Sequence, residues 1–118
     1  MIPRLLQNQL EKRATQFPVV TLLGHRQAGK TTLVKHTFPQ YTYVNLENLE
    51  TQAFARKDPK GFFKTFPCPL IIDEIHRVRE LLSWVQVQSD EMDGRGLFIL
   101  TGSNQPELGA AVAQSLAG

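Results

Sequence analysis

The stretch LLGHRQAGKTTLVKH, Leu22 to His36, restricts this chain more than any other. Gly24, Gly29, Lys30 and Thr31 fall at the spacing Gly-x-x-x-x-Gly-Lys-Thr, which suits a loop that wraps phosphate groups with its own N–H groups. Just before it, VVTLL (Val19 to Leu23) is a short apolar run with the pattern of a buried strand. Just after it, Lys30 to Thr37 is predicted as a helix whose positive amino-terminal end points at the anion. Glycine is expected at Gly24 and Gly29 because phosphates approach the backbone closely there, and a Cβ would block some of the φ angles required. The competing reading is a chance match in a glycine turn. The strand-to-helix setting and the second threonine argue against it.

Each loop residue then has an expected role. Lys30 spans the β- and γ-phosphates, and the Thr31 hydroxyl ligates Mg²⁺. Thr32 adds a hydroxyl contact to an inner phosphate, while His25, Arg26, Gln27 and Ala28 contribute mainly backbone. No Asn/Thr-Lys-x-Asp tetrapeptide, the usual guanine-reading element, occurs in the sequence; ARKDP, 55–59, comes nearest and lacks the first residue. ATP with Mg²⁺ is therefore the expected ligand.

Further strands follow the loop. YTYVNLE (Tyr41 to Glu47), PLIIDEI (Pro69 to Ile75) and GLFILTGS (Gly96 to Ser103) are β-branched, aromatic or aliphatic runs. Helical patterns separate them. Leu6, Leu10 and Ala14 repeat on one face of a first helix opened by Pro3. Asp58-Pro59 is a cap-plus-first-turn signal for a short helix holding Phe62, Phe63 and Phe66. Val78, Leu81, Leu82 and Val85 mark an amphipathic helix, and Leu108, Val112 and Leu116 another. Strands alternating with helices predict an α/β fold of three layers, a parallel sheet covered by helices on both sides. The stretch between Glu47 and Asp58 reads only as polar.

Two further groups carry chemistry. Asp73 ends an apolar strand, at the end of the sheet where α/β folds bind ligands, and is expected to hold Mg²⁺ directly or through water. Glu74 follows it and can take a proton from the attacking water as general base. The alternative for this pair is a solvated cap on the next helix. At the end of the fourth strand, TGSN offers Ser103 or Asn104 to orient the water or sense the γ-phosphate; an ordinary turn is the alternative. The choice between the two residues stays open.

Composition excludes more than it assigns. In 118 residues there are 13 Lys+Arg against 11 Asp+Glu, a balance that calls for neither nucleic acid nor an anionic membrane. No uncharged apolar run approaches the roughly 18 residues of a spanning helix. The early charges of MIPRLLQNQLEKR do not suit a signal peptide. Cys68, alone, makes no disulfide framework, so a cytoplasmic protein is expected. His36 and His76 lack ligand spacing and read as surface or supporting residues. Arg56, Lys57, Lys60 and Lys64 read as the solvated face of a helix with Phe62, Phe63 and Phe66 inward, in preference to a nucleic-acid patch.

Taken together, IPR, LLGHRQAGKTTL, YVNLE, LIIDEIHRV, FILTGSN and the terminal SLAG resemble, in order and over nearly the whole chain, the AAA_14 family of prokaryotic AAA-type ATPases, whose members are usually followed by a DUF4143 domain. The resemblance implies a P-loop NTPase core of the additional-strand Glu class, with strand order 5-1-4-3-2. Strand four then lies between the loop strand and the Asp73 strand, which brings Ser103 or Asn104 beside the γ-phosphate. His76 stands where the resemblance implies Gln, and Arg79 where Pro is frequent. Members continue past SLAG with a fifth strand, a helical lid and the DUF4143 region. Residues 1–118 thus read as the amino-terminal part of an AAA-type domain without strand five or lid. Two functions are left open: ATP hydrolysis, weak or incomplete, and a nucleotide-binding remnant or interaction module without turnover. A nucleotide kinase would need a basic lid that the sequence lacks. Without strand five, VVTLL becomes an apolar sheet edge through which the chain is expected to self-associate.

Overall fold

The computed structural model describes residues 4–24 and 29–103. Helix α1 (Arg4–Gln16) leads into β1 (Val19–Leu23), and α2 (Lys30–Thr37) leads into β2 (Thr42–Asn45). Two short helices follow, α3 (Leu49–Lys57) and α4 (Pro59–Thr65), before β3 (Leu70–Asp73). A 3-10 turn (Ile75–Val78), helix α5 (Leu81–Met92) and strand β4 (Phe98–Gly102) complete the described chain. The proposed helix at Leu108 to Leu116 lies outside the described residues.

The strands form one four-stranded sheet in the order β1-β4-β3-β2, and every pairing is parallel. This is the order that the resemblance implied for its first four strands. Registers pair Leu22 with Thr101 and Asn45 with Asp73, so the carboxyl ends of all four strands lie at one end of the sheet.

Alternation along the central strands builds the three layers, because successive side chains of a strand point to opposite faces. Leu70, Ile72, Phe98 and Leu100 enter a core with Phe62 and Phe63 of α4 and Leu81, Leu82 and Val85 of α5. Ile71 and Ile99 face the other way, onto Leu10 of α1 and Leu33, Val34 and Phe38 of α2 and its end. Every residue of β3 and β4 is buried. Cys68 packs at the margin of the first core, and burial pushes its thiol up to about 11.

Two local differences from the sequence reading have physical causes. The stretch read only as polar contains α3, capped by Asn48, whose side chain accepts from the Thr51 N–H. It buries Ala55 and little else, so its periodicity is faint. Asp58 then closes α3 and opens α4, accepting from the Gly61 N–H with Pro59 in the first turn. The second difference is at Val78, Leu81, Leu82 and Val85. All four are buried as expected, yet the helix is divided, because the chain leaves β3 through Glu74 in the left-handed region and tightens into the 3-10 turn.

Candidate functional site

The site is assembled where the carboxyl ends of β1, β3 and β4 meet the start of α2. Gly29 caps α2 with φ 75° and ψ 21°, a left-handed conformation that costs glycine little and other residues more. Gly24 has no such constraint, since a Cβ there would meet only Lys30 Cδ at 3.6 Å, an ordinary contact. The φ requirement expected at both glycines thus falls on Gly29. Lys30 is buried, and its Nζ donates to the Gly24 carbonyl at 2.6 Å. The ammonium therefore lies against the backbone that opens the loop. Residues 25–28, with Gln27 and Ala28 among them, lie outside the described residues, as does Asn104.

Thr31, one residue into α2, donates from Oγ1 to Asp73 Oδ2 at 2.7 Å. The two groups assigned to the metal from sequence are thus in direct contact. Thr32 is exposed on the same turn. Asp73 is fully buried and receives two more hydroxyls, Tyr43 OH to Oδ2 at 2.5 Å and Thr101 Oγ1 to Oδ1. Burying a carboxylate costs several kcal/mol unless it is hydrogen-bonded, and three donors from three different elements meet that need. The Tyr43 hydroxyl is held well above its ordinary range, first by burial and then by the bond and the charge of Asp73. It stays a donor at any physiological pH. Lys35 Nζ lies 4.1 Å from the centroid of the same ring.

Glu74 is also buried and adopts φ 65° and ψ 47°, a conformation uncommon outside glycine. Its N–H donates to Thr101 Oγ1 at 3.0 Å, so one threonine hydroxyl serves both acidic residues, donating to one and accepting from the next. Glu74 makes no side-chain cap on the turn that follows, and both acidic residues are buried, which is not the arrangement of a solvated cap. Glu74 Oε2 lies 3.3 Å from His76 Nε2, and Ser103 N–H donates to His76 Nδ1 at 3.1 Å. Burial lowers the His76 pKa, opposed by the Glu74 charge and assisted by Arg77, Lys30 and Arg79.

The structure thus gathers Lys30, Thr31, Asp73, Glu74 and Ser103 at one end of the sheet. It adds Tyr43 and Thr101, to which the sequence reading gave no site role, and His76, which it read as a surface or supporting residue. Period-two alternation in YVNLE and the parallel order were the only signals for Tyr43. Thr101 stood inside TGSN but was passed over for its neighbours. Among the described residues, no group of three or more His, Cys, Asp or Glu side chains is placed to hold a metal ion. One carboxylate beside one hydroxyl is the donor set of Mg²⁺ sites that rely on substrate phosphates and water for the remaining ligands. The residues present fit that ion.

Comparison with known proteins agrees with this geometry. The family AAA_14, described as an AAA domain, matches residues 16–118. Uncharacterized protein Rv2008c of Mycobacterium tuberculosis and uncharacterized protein Mb2031c of Mycobacterium bovis are each 34% identical to the chain over 113 residues, which covers 93% of this chain. The chain spans about a quarter of the length of these relatives, 25% in each case. Among the described residues no helix is long and apolar enough to cross a membrane.

Proposed function

Because the chain belongs to the AAA_14 family of AAA domains, we propose that it binds Mg·ATP at the β1–α2 turn and hydrolyses it with Glu74 as general base. The observation that carries this reading is the 2.7 Å contact of Thr31 Oγ1 with Asp73 Oδ2. It joins the phosphate loop to the carboxylate strand at the one place where a metal bound to phosphates would need both.

The residues have separable tasks. Lys30 leaves the Gly24 carbonyl for the β- and γ-phosphates, a charge-assisted contact stronger than the neutral one it replaces. Thr31 and Asp73 would hold Mg²⁺, which when bound would supply neutralisation of phosphate charge. Tyr43 and Thr101 keep Asp73 oriented. Glu74 takes a proton from water as the water oxygen bonds to the γ-phosphorus and the bridging oxygen leaves with ADP. Ser103 or Asn104 at the end of β4 orients the γ-phosphate or the water. The reading places the protein in the cytoplasm, where Mg·ATP is abundant.

Titration calorimetry with Mg·ATP tests it. Lys30→Ala is expected to lower affinity by at least about tenfold, the loss of one charge-assisted phosphate contact. Unchanged affinity would remove the assignment. A second reading, nucleotide binding without turnover, uses the same cradle of Lys30, Thr31 and Asp73 and needs no base. Binding with no phosphate release by the wild-type chain would select it.

A further inference from the structure

Glu74 is tied to the end of β4 directly through its N–H and, on its carboxylate side, by way of His76 in the 3-10 turn. On the backbone side, its N–H is fixed to Thr101 Oγ1 at 3.0 Å. On the carboxylate side, Oε2 faces His76 Nε2 at 3.3 Å. The far edge of that imidazole receives the Ser103 N–H on Nδ1 at 3.1 Å. A backbone N–H can only donate, so Nδ1 meets it with its lone pair, and the proton of the neutral ring must sit on Nε2. That proton has two oxygens within reach, Glu74 Oε2 and Ser103 Oγ, each 3.3 Å from Nε2. The side chains of His76 and Glu74 are only 11% and 8% exposed, so bulk water competes little for either group.

We propose that His76 is a positioning residue that clamps the Glu74 carboxylate through Nε2–H and ties its orientation to Ser103 at the end of β4. The proposal rests on the reading of Glu74 as general base. One oxygen held by the imidazole leaves Oε1 with its lone pairs for the attacking water. Without the ring, the carboxylate regains rotamer freedom, and a base that spends less time within reach of its proton loses rate in proportion. ATP affinity is a separate matter, because the His76 contacts described here lie outside the set of Lys30, Thr31 and Asp73. A methionine or leucine could fill the same volume, but neither could donate on one side and accept on the other. Glutamine can: its amide N–H₂ donates to Glu74 while its oxygen accepts from the Ser103 N–H.

Two measurements on the chain decide it. Long-range ¹H–¹⁵N spectra of the nucleotide-free wild type are expected to show His76 as a single neutral tautomer protonated on Nε2. A proton on Nδ1, or averaging between tautomers, would overturn the clamp. In steady-state phosphate release, His76→Ala is expected to lower kcat by about tenfold or more, as displacement of a general base does, while the Kd for Mg·ATP stays within about twofold. His76→Gln is expected to recover most of the lost kcat. Wild-type kcat in His76→Ala, or no recovery in His76→Gln, would defeat the proposal. If the wild type binds Mg·ATP without turnover, the positioning role falls with the base. If it does not bind Mg·ATP at all, the functional reading fails, and the tautomer alone decides the clamp. The tautomer also decides if His76→Ala does not fold.

Discussion

The two halves of the site are built in different ways. The loop half, Gly24 to Thr31, is contiguous, and its strand is β1, which among the described residues pairs with β4 alone. The carboxylate half, Asp73 and Glu74, sits on the interior strand β3, between β2 and β4. Its supports come from α2, β2, β4 and the 3-10 turn. Only Val20 of β1 is buried, whereas β3 and β4 are buried throughout. A local motif can be specified by eight or so consecutive residues and tolerate a strand with one partner. A pair of buried carboxylates cannot, because each needs donors that the chain delivers from a distance.

This contrast can be broken most sharply at Glu74. Glu74→Gln keeps the shape and removes the base, so turnover is expected to fall by about 100-fold or more while calorimetric Mg·ATP affinity stays within a few-fold. An equal loss of binding would merge the two halves into one. The next test concerns the strands themselves. A groove of about 510 Å³ lies along β1, lined by Leu6, Gln9, Leu10, Arg13 and Phe17, and an uncharged strand that is paired on one side only among the described residues is a template for a second chain. The chain is therefore expected to self-associate at tens of micromolar, with β1 amides exchanging faster than those of β3 in dilute samples. A monodisperse monomer in sedimentation, with uniform protection across the sheet, would cancel the distinction between edge and interior.

Smaller effects sharpen the carboxylate half. Tyr43→Phe deletes one of the three hydroxyls on Asp73 and is expected to cost about 1.5–3 kcal/mol in urea unfolding, the range for a hydrogen bond to a charged group. No change in midpoint would mean that Thr31 and Thr101 suffice. The smallest effect is on pH dependence. The His76 pKa is lowered by burial from 6.5, so the unfolded chain binds this proton more readily than the folded one. The associated stability is fully present above about pH 6.5, the ordinary histidine value. It is lost as pH falls toward the depressed folded value. Comparing wild type with His76→Gln isolates it: the wild type is expected to lose more stability between pH 7 and pH 5. Parallel curves would place the His76 proton elsewhere.

What could be read from residues alone followed the range of the interactions. The loop, the helix Lys30 to Thr37 and the Asp58–Pro59 cap depend on neighbours within a few positions, and the structure has α2 and α4 at those places. Strands β3 and β4 announce themselves as apolar runs because both their faces are covered. Helix α3 was silent because a helix that buries one alanine leaves almost no periodicity. Strand order was accessible only through resemblance to a family, since composition and spacing do not say which strands are adjacent.

The sequence by itself determined a glycine-rich turn between a strand and a helix, two acidic residues at the end of a buried strand, and alternating elements that require a covered parallel sheet. Only the tertiary structure decided what surrounds those acids. It placed Tyr43 and Thr101 on Asp73, across separations of 30 and 28 residues. It also turned His76 from a surface or supporting histidine into the link between Glu74 and Ser103. The reason is physical: a hydrogen bond forms within about 3 Å, and at these separations along the chain the strand order and register, not the sequence interval, determine which donor comes that close.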